Sequence, residues 1–271
     1  MALPLQQSQA CWFIFQNDSL LLLMKNNALL NDMESASIAP YFLRQFKLGC
    51  FDHVDYYCAE LGSETPISDT LHALPLRQAL SLFINDGYGL AVKAWSIINW
   101  DKNHQFCSRC GCVTVHQAKV FERRCMSCKL SFFPRISPSI IVLIKRDDHI
   151  LMARSSHFPQ GVYGLIAGFV DVGESIEDAV HREVKEEVGL QIKNLLYWGS
   201  QPWPFPDSLM LAFTADYASG DIIMDPNEIE DAGWYKHDNL PGLPSTAISI
   251  AMKLIDEFIN EIMPSHPARL D

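Results

Sequence analysis

Between Gly168 and Leu190 the chain reads GFVDVGESIEDAVHREVKEEVGL, and no other stretch constrains the fold as much. Gly173 supplies a turn, Ser175 is an N-cap with Asp178 as its third helical residue, and Gly189 stands where a helix ends. On a helical wheel of about 100° per residue, Ile176, Ala179, Val180 and Val184 fall in one apolar arc. Asp178, His181, Arg182 and Lys185 fall on the opposite, wet side, whereas Glu183 and Glu187 project into the apolar arc with Glu186 at its edge. Charge on a helix is usually a solvated face, but such a face does not put carboxylates inside the core stripe. Carboxylates four residues apart have Cβ atoms about 5–6 Å apart and repel by about 3 kcal/mol at an effective dielectric of about 20. Burial adds to that cost. A cation must compensate, and hard oxygen ligands suit Mg2+ or Mn2+ rather than zinc. Arg182, one turn before Glu186, can orient part of the cluster through charge-assisted hydrogen bonds. The pattern predicts an acidic metal site at the end of a loop–helix unit.

A second pattern lies upstream. CSRC and CMSC place Cys107, Cys110, Cys125 and Cys128 in two C-x2-C knuckles, with fourteen residues (111–124) between them that include a potential hairpin, HQAKVFERR. The opening MALPLQQSQA has no basic n-region, so no secretory signal is read and the cytoplasm is the expected compartment. There, cysteines at this spacing are metal ligands rather than disulfides. Four thiolates close a tetrahedral zinc site, which makes the zinc structural: it replaces a core too small to fold alone. Cys112 offers a fifth thiol that either exchanges with a ligand or stays free, and Cys11, Cys50 and Cys58 are expected to be buried small hydrophobes.

The 271 residues leave room for roughly two domains around these patterns. CWFIF and LLLLM flank QNDS as a hairpin, and LRQALSLFI and GLAVKAWSIINW read as helices either side of NDGY. After the ribbon and the junction FPRISPS, SIIVLIKRDDHILMARS reads as two strands turning at Asp147–Asp148. The helix from Ser175 to Val188 follows, then strands at LLYWG and SLMLAFTADY, and a closing helix from about Thr246 to Met263. No apolar run approaches the roughly 20 residues of a membrane span. The net charge is −11, yet from Asp101 to Arg146 nine basic residues face only Asp101 and Glu122. That strip is either a local anion-binding surface or a solvated one.

The glutamate-rich segment matches the Nudix box, G-x5-E-x7-R-E-U-x-E-E-x-G-U with U aliphatic, at every defined position: Gly168, Glu174, Arg182, Glu183, Val184, Glu186, Glu187, Gly189 and Leu190. The chain thus resembles the Nudix hydrolases, which cleave a nucleoside diphosphate linked to another moiety. The resemblance implies an α+β chain whose C-terminal part is an α/β/α sandwich with a mixed sheet. The expected divisions are a small α+β domain at 1–103, a zinc ribbon at 104–134 and the Nudix domain at 135–271. It also implies Mg2+ or Mn2+ ligands at Glu183, Glu187, Glu186 and the carbonyl of Ala167, with Glu228 of DPNEIED as a further ligand. Glu187 or Glu186 is the implied general base, and Glu174 shapes the loop by pairing with Arg182.

The segment SQPWPFPDS, about ten residues after the box, is similar to the signature of NADH pyrophosphatases of the NudC type, which also carry a four-cysteine ribbon before the Nudix domain. This likeness covers residues 104–271 well and the first hundred by order alone. It implies cleavage of NAD(H) to nicotinamide mononucleotide and AMP, removal of NAD caps from RNA 5′ ends, and a homodimer. Gln201, Pro202, Trp203, Pro204, Phe205, Pro206, Asp207 and Ser208 are then the implied lining of the dinucleotide site. Phe133, Phe169, Ala251, Lys25 and Arg77 are further implied substrate contacts. Flat heterocycles need π-faces and apolar walls, which this composition provides. Two other readings stand beside this one: an ADP-ribose or other dinucleotide pyrophosphatase, and a zinc-ribbon RNA-binding protein with an inactive Nudix domain. The intact Glu183, Glu186 and Glu187 count against the latter. A basic ribbon serving an active enzyme as an RNA platform, through Arg123 and Arg124, is compatible with the main reading.

Overall fold

The computed structural model describes residues 9–83, 87–117, 120–243 and 248–262. The chain forms two compact units, Met1–Arg135 and Ile136–Asp271. No helix among the described residues is long and apolar enough to cross a membrane.

In the first unit, strands β1 (Gln9–Gln16) and β2 (Ser19–Leu23) form the expected hairpin, with Asn17 at φ 53° in its turn. Phe13 and Phe15 of β1 are buried on one face, and Ile14 is buried on the other with Leu21 and Leu30. A strand covered on both faces reads as a continuous apolar run rather than an alternation. The short helix α1 (Asp32–Ser35) follows, closed by a capping box between Asn31 and Glu34. Strands β3 (Phe42–Phe51), β4 (Val54–Leu61) and β5 (Leu71–Pro75) complete a sheet of order β3-β4-β1-β2-β5, in which β1 and β4 run parallel. The sequence pattern does not announce these three, because β3 and β5 are edge strands with little apolar alternation. The expected helix at LRQALSLFI is only α2 (Leu76–Ala79) continued by a 3₁₀ turn, Leu80–Phe83. Helix α3 (Tyr88–Asn103) covers the sheet, setting Trp95 edge-on against Phe15 at 5.1 Å. Ile84 at the end of LRQALSLFI, and Asn85 and Asp86 of the NDGY turn, lie outside the described residues.

The ribbon belongs to this first unit. Its strands β6 (Thr114–His116), β7 (Arg123–Cys125) and β8 (Ser131–Phe132) pair antiparallel, as the hairpin reading requires, although Ala118 and Lys119 lie outside the described residues. Arg123 corrects the RNA-platform expectation. It is only 7% exposed, and its guanidinium donates to Thr114 O at 2.8 Å, Thr114 Oγ1 at 2.8 Å, His104 O at 3.1 Å and Gln105 Oε1 at 3.2 Å, and pairs with Asp101. Asp101 is itself buried and accepts from Arg44 Nε at 2.9 Å. Arg123 therefore fastens the ribbon to the end of α3, and only its exposed neighbour Arg124 faces water. Cys58 is buried as expected, Cys11 is half-buried, and Cys50, near the end of the edge strand β3, is exposed.

The second unit is an α/β/α sandwich. Strands β9 (Ser137–Arg146) and β10 (His149–Ser155) turn at Asp147–Asp148 as the sequence predicts. After β11 (Ile166–Phe169) come helix α4 (Ile176–Val188), strands β12 (Gln191–Trp203), β13 (Ser208–Ser219) and β14 (Ile229–Lys236), and helix α5 (Ile250–Ile262). Thr246 and Met263, the expected ends of the last helix, lie outside the described residues. The sheet order is β12-β13-β9-β10-β14, with β13 parallel to β9, its other pairs antiparallel, and β11 pairing with β9. Successive side chains of β9 enter opposite layers. Ile140, Val142 and Ile144 pack with Val180 and Val184 of α4, whereas Ile141 and Leu143 pack with Leu254 and Phe258 of α5.

Candidate functional site

Two helical turns of α4 place the acidic residues. Ser175 Oγ accepts from Asp178 N at 3.1 Å, and Gly189 ends the helix at φ 73°, as the sequence predicts. Glu183 and Glu187 are buried at 8% and 7% exposure, inside the apolar stripe that holds Ala179, Val180 and Val184. Glu228 reaches them from the loop before β14. That loop is tied to the end of α4: Asp225 N donates to Glu187 O and Ile223 N to Val188 O, both at 3.0 Å. Carboxylate oxygens of Glu183, Glu187 and Glu228 lie within 4.8 Å of one another. Desolvation, helped by the charges of Glu183, Glu228 and Asp225, pushes the Glu187 carboxyl up to about 8, and desolvation likewise raises Glu183. Three carboxylates this close are unfavourable without a cation, and an all-oxygen set of this kind suits a hard divalent ion.

Glu186 is not part of this cluster. Its carboxylate is exposed and accepts from Arg182 Nη1 at 3.0 Å. Arg182 departs from the wheel's wet side: it grips both oxygens of Glu174 at 2.8 and 2.9 Å, donates to Glu183 Oε1 at 2.9 Å and to Phe169 O at 3.0 Å. Its long stem lets the fork fold back along the helix. The Arg182 hydrogen bonds hold the Glu174 carboxyl below the usual range, and Asp171 N adds a bond to Glu174 at 3.0 Å. Arg182 thus fixes the loop, the chain end of β11 and one oxygen of the cluster together. Gly168 is required by proximity: a Cβ there would lie 2.1 Å from the Glu183 carboxylate. Ala167, next to it on β11, pairs with Ile141.

The proline-rich segment forms the tip of a long hairpin. Ser200 to Trp203 continue β12, Ser208 opens β13, and only Pro204–Asp207 turn, with a cis Phe205–Pro206 peptide. Trp203 and Phe205 meet edge-on at 5.4 Å, both half-buried. Gln201 is buried, and its amide is engaged: Nε2 donates to Ile248 O at 2.8 Å and Oε1 accepts from Ile250 N at 2.7 Å. It thereby holds the start of α5, where Ala251 sits half-buried against the core. Phe169 is half exposed. Lys25, Arg77 and Phe133 belong to the first unit. Lys25 is exposed, pairs with Glu34 at 3.5 Å and lines a cavity of about 550 Å3 with Asp69 and Thr70. Arg77 is in α2, and Phe133 is exposed just after β8.

Two positioning residues escape the sequence reading. Ser137 Oγ donates to Asp207 Oδ1 at 2.8 Å and Ser137 N to Asp207 O at 2.9 Å, bracing the hairpin tip against β9. Asp225 Oδ1 accepts from Asn227 N at 2.9 Å, an Asx turn that presents Glu228. The Asp-Pro-Asn order was a legible signal for the second; nothing local marks the first.

In the ribbon, sulfur atoms of Cys107, Cys110, Cys125 and Cys128 lie within 4.8 Å of one another. Neighbouring pairs are 3.4, 3.4 and 3.6 Å apart, near the edge of about 3.8 Å expected for a tetrahedron with 2.3 Å bonds. Gly111 at φ 72° and Lys129 at φ 63° close the two knuckles, each donating its N–H to the first cysteine's carbonyl. Cys112 is exposed and outside the cluster. Four thiols fit a closed structural ion.

A carboxylate cluster with two buried members, Glu183 and Glu187, and an exposed third, Glu228, braced by one arginine on a loop–helix unit of an α/β/α sandwich, defines a pyrophosphate-hydrolase class: residues 134–258 match the NUDIX domain family. A protein of Chromobacterium violaceum called NAD-capped RNA hydrolase NudC is 42% identical over 90% of this chain and 89% of its own length. Proteins of the same name from Pseudomonas syringae pv. tomato and Pseudomonas aeruginosa are 41% identical over 92% of this chain and 88% of theirs, and 49% over 68% and 66%. The chain belongs to the NudC family of Nudix hydrolases.

Proposed function

We propose that the chain hydrolyses the pyrophosphate bond of NAD(H) to nicotinamide mononucleotide and AMP, and removes NAD caps from RNA 5′ ends. The observation that carries this reading is the cluster of Glu183, Glu187 and Glu228 in a chain aligned nearly end to end with relatives named for that decapping reaction. Glu183, Glu187, Glu228 and the carbonyl of Ala167 would hold Mg2+ or Mn2+, with Glu186 at the edge of the set. A divalent ion there neutralises the diphosphate and makes bound water acidic. Glu187, whose carboxyl burial and its acidic neighbours push up to about 8, would hold the ion as a carboxylate, so ion binding there would be linked to loss of its proton. Glu187 or Glu186 then accepts the proton of the attacking water. Arg182 keeps Glu183 and the Phe169 carbonyl in place during the step. The hairpin tip at Gln201–Ser208, with Phe169 and Ala251, forms the wall for the flat bases. Zinc on the four cysteines, a homodimer and a cytoplasmic setting complete the reading.

Product analysis tests it. NADH with Mg2+ or Mn2+ should give AMP and nicotinamide mononucleotide, and NAD-capped RNA should give a 5′-monophosphate end. ADP-ribose cleaved quickly while NADH stays intact would move the chain to the other dinucleotide reading. The mass in solution checks the dimer.

A further inference from the structure

One row of side chains crosses four strands of the second unit. Gln201 of β12 pairs with Met210 of β13, Met210 with Ser139 of β9, and Ser139 with Phe169 of β11. Directly paired residues project to the same face of a sheet. That face is the α5 side: Ile141, two residues after Ser139, packs there, and Met210 lies against the same core. Gly168, by contrast, faces Glu183 on the α4 side. Ser139 is only 4% exposed, and among the described residues its Oγ has no hydrogen-bond partner. A buried hydroxyl without a partner is costly and uncommon, and calls for an explanation. Its neighbours in the row cannot supply one. Met210 and Phe169 carry no strong polar group, and the Gln201 amide is engaged at the start of α5. Ser137, the next residue on that face, gives its hydroxyl to Asp207.

We propose that Ser139 is a specificity-determining residue whose Oγ hydrogen-bonds the polar edge of the flat heterocycle stacked on Phe169. Phe169, the cross-strand partner of Ser139 on the same face, is half exposed and offers its ring for stacking beside that hydroxyl. A serine hydroxyl both donates and accepts, so it matches either the nicotinamide carboxamide or the amine edge of adenine. This inference rests on the dinucleotide reading above and deepens it.

The test compares wild type and Ser139→Ala on NADH, ADP-ribose and nicotinamide hypoxanthine dinucleotide, with thermal unfolding confirming that the variant is folded. A rise in KM of about 5–10-fold is expected for substrates bearing the recognised edge, with kcat changed less than about twofold. If NADH is affected and ADP-ribose is not, the partner is the carboxamide. If NADH and ADP-ribose both lose and the hypoxanthine dinucleotide does not, it is the adenine amine. Equal KM shifts on all three substrates, no shift on any, or a fall confined to kcat would overturn the assignment. A wild type that leaves NADH uncut would instead defeat the dinucleotide reading itself.

Discussion

The two clusters of potential metal ligands in this chain are built in opposite ways. The cysteine cluster draws all four ligands from 22 consecutive residues, closes its coordination sphere with protein atoms and sits among short strands that have little core of their own. The glutamate cluster takes two ligands from one helix and a third from a loop 41 residues after Glu187 (228 − 187), and it sets them against a large apolar core. A closed thiolate set holds structure together. An open carboxylate set costs stability until a cation and a substrate arrive, which is the arrangement a reaction centre needs.

Substitutions should separate the two. Glu187→Gln removes a charge from the open cluster and should lower kcat by on the order of 10²–10³-fold, with zinc content and folding retained; steady-state kinetics and metal analysis check both. Gly168→Ala pushes a methyl into the Glu183 carboxylate, and a displacement of about 1 Å at a reacting centre costs roughly 10²-fold. Its zinc content should also be normal, and a fully active Gly168→Ala protein would show that Glu183 need not stay where it is. On the ribbon side the effect moves from rate to stability. Arg123→Ala leaves Asp101 buried without one of its partners and should destabilise the first unit by about 3–5 kcal/mol. Arg124→Ala should change it by less than about 0.5 kcal/mol. Denaturant unfolding measures the difference, and equal effects would remove Arg123's role as a fastener.

The smallest expected effect is in pH. The Glu187 carboxyl, ordinarily near 4.5, is raised to about 8 in the folded chain. Between those values the native state binds more protons than the unfolded one, so this group's contribution to metal-free stability falls as pH rises. The rise in Tm on adding Mg2+ or Mn2+ should therefore be larger at pH 8 than at pH 5.5, by a few degrees, and Glu187→Gln should flatten the trend. An increment independent of pH in the wild type would contradict the burial argument.

Legibility followed distance along the chain. The β1–β2 and β9–β10 hairpins, the caps of α4 and the two cysteine knuckles depend on residues a few positions apart, and their patterns survive in the sequence. Strands β3, β4, β5, β11 and β14 were not legible, because pairing with distant partners decides them. The buried carboxylates of Glu183 and Glu187 stood out on the helical wheel, yet the same wheel misplaced Arg182, whose length lets it reach back to Glu174. Gln201 sits in a legible motif, but its engagement with the start of α5, 49 residues later, is a tertiary fact.

The division of labour between the clusters is tested most directly by NADH hydrolysis as a function of added Mg2+ or Mn2+, with zinc occupancy measured on the same sample. Activity should vanish when these ions are withheld and return on their addition, while zinc stays constant at one per chain. Activity that persists without them, or that follows zinc occupancy instead, would contradict the assignment of the chemistry to Glu183, Glu187 and Glu228.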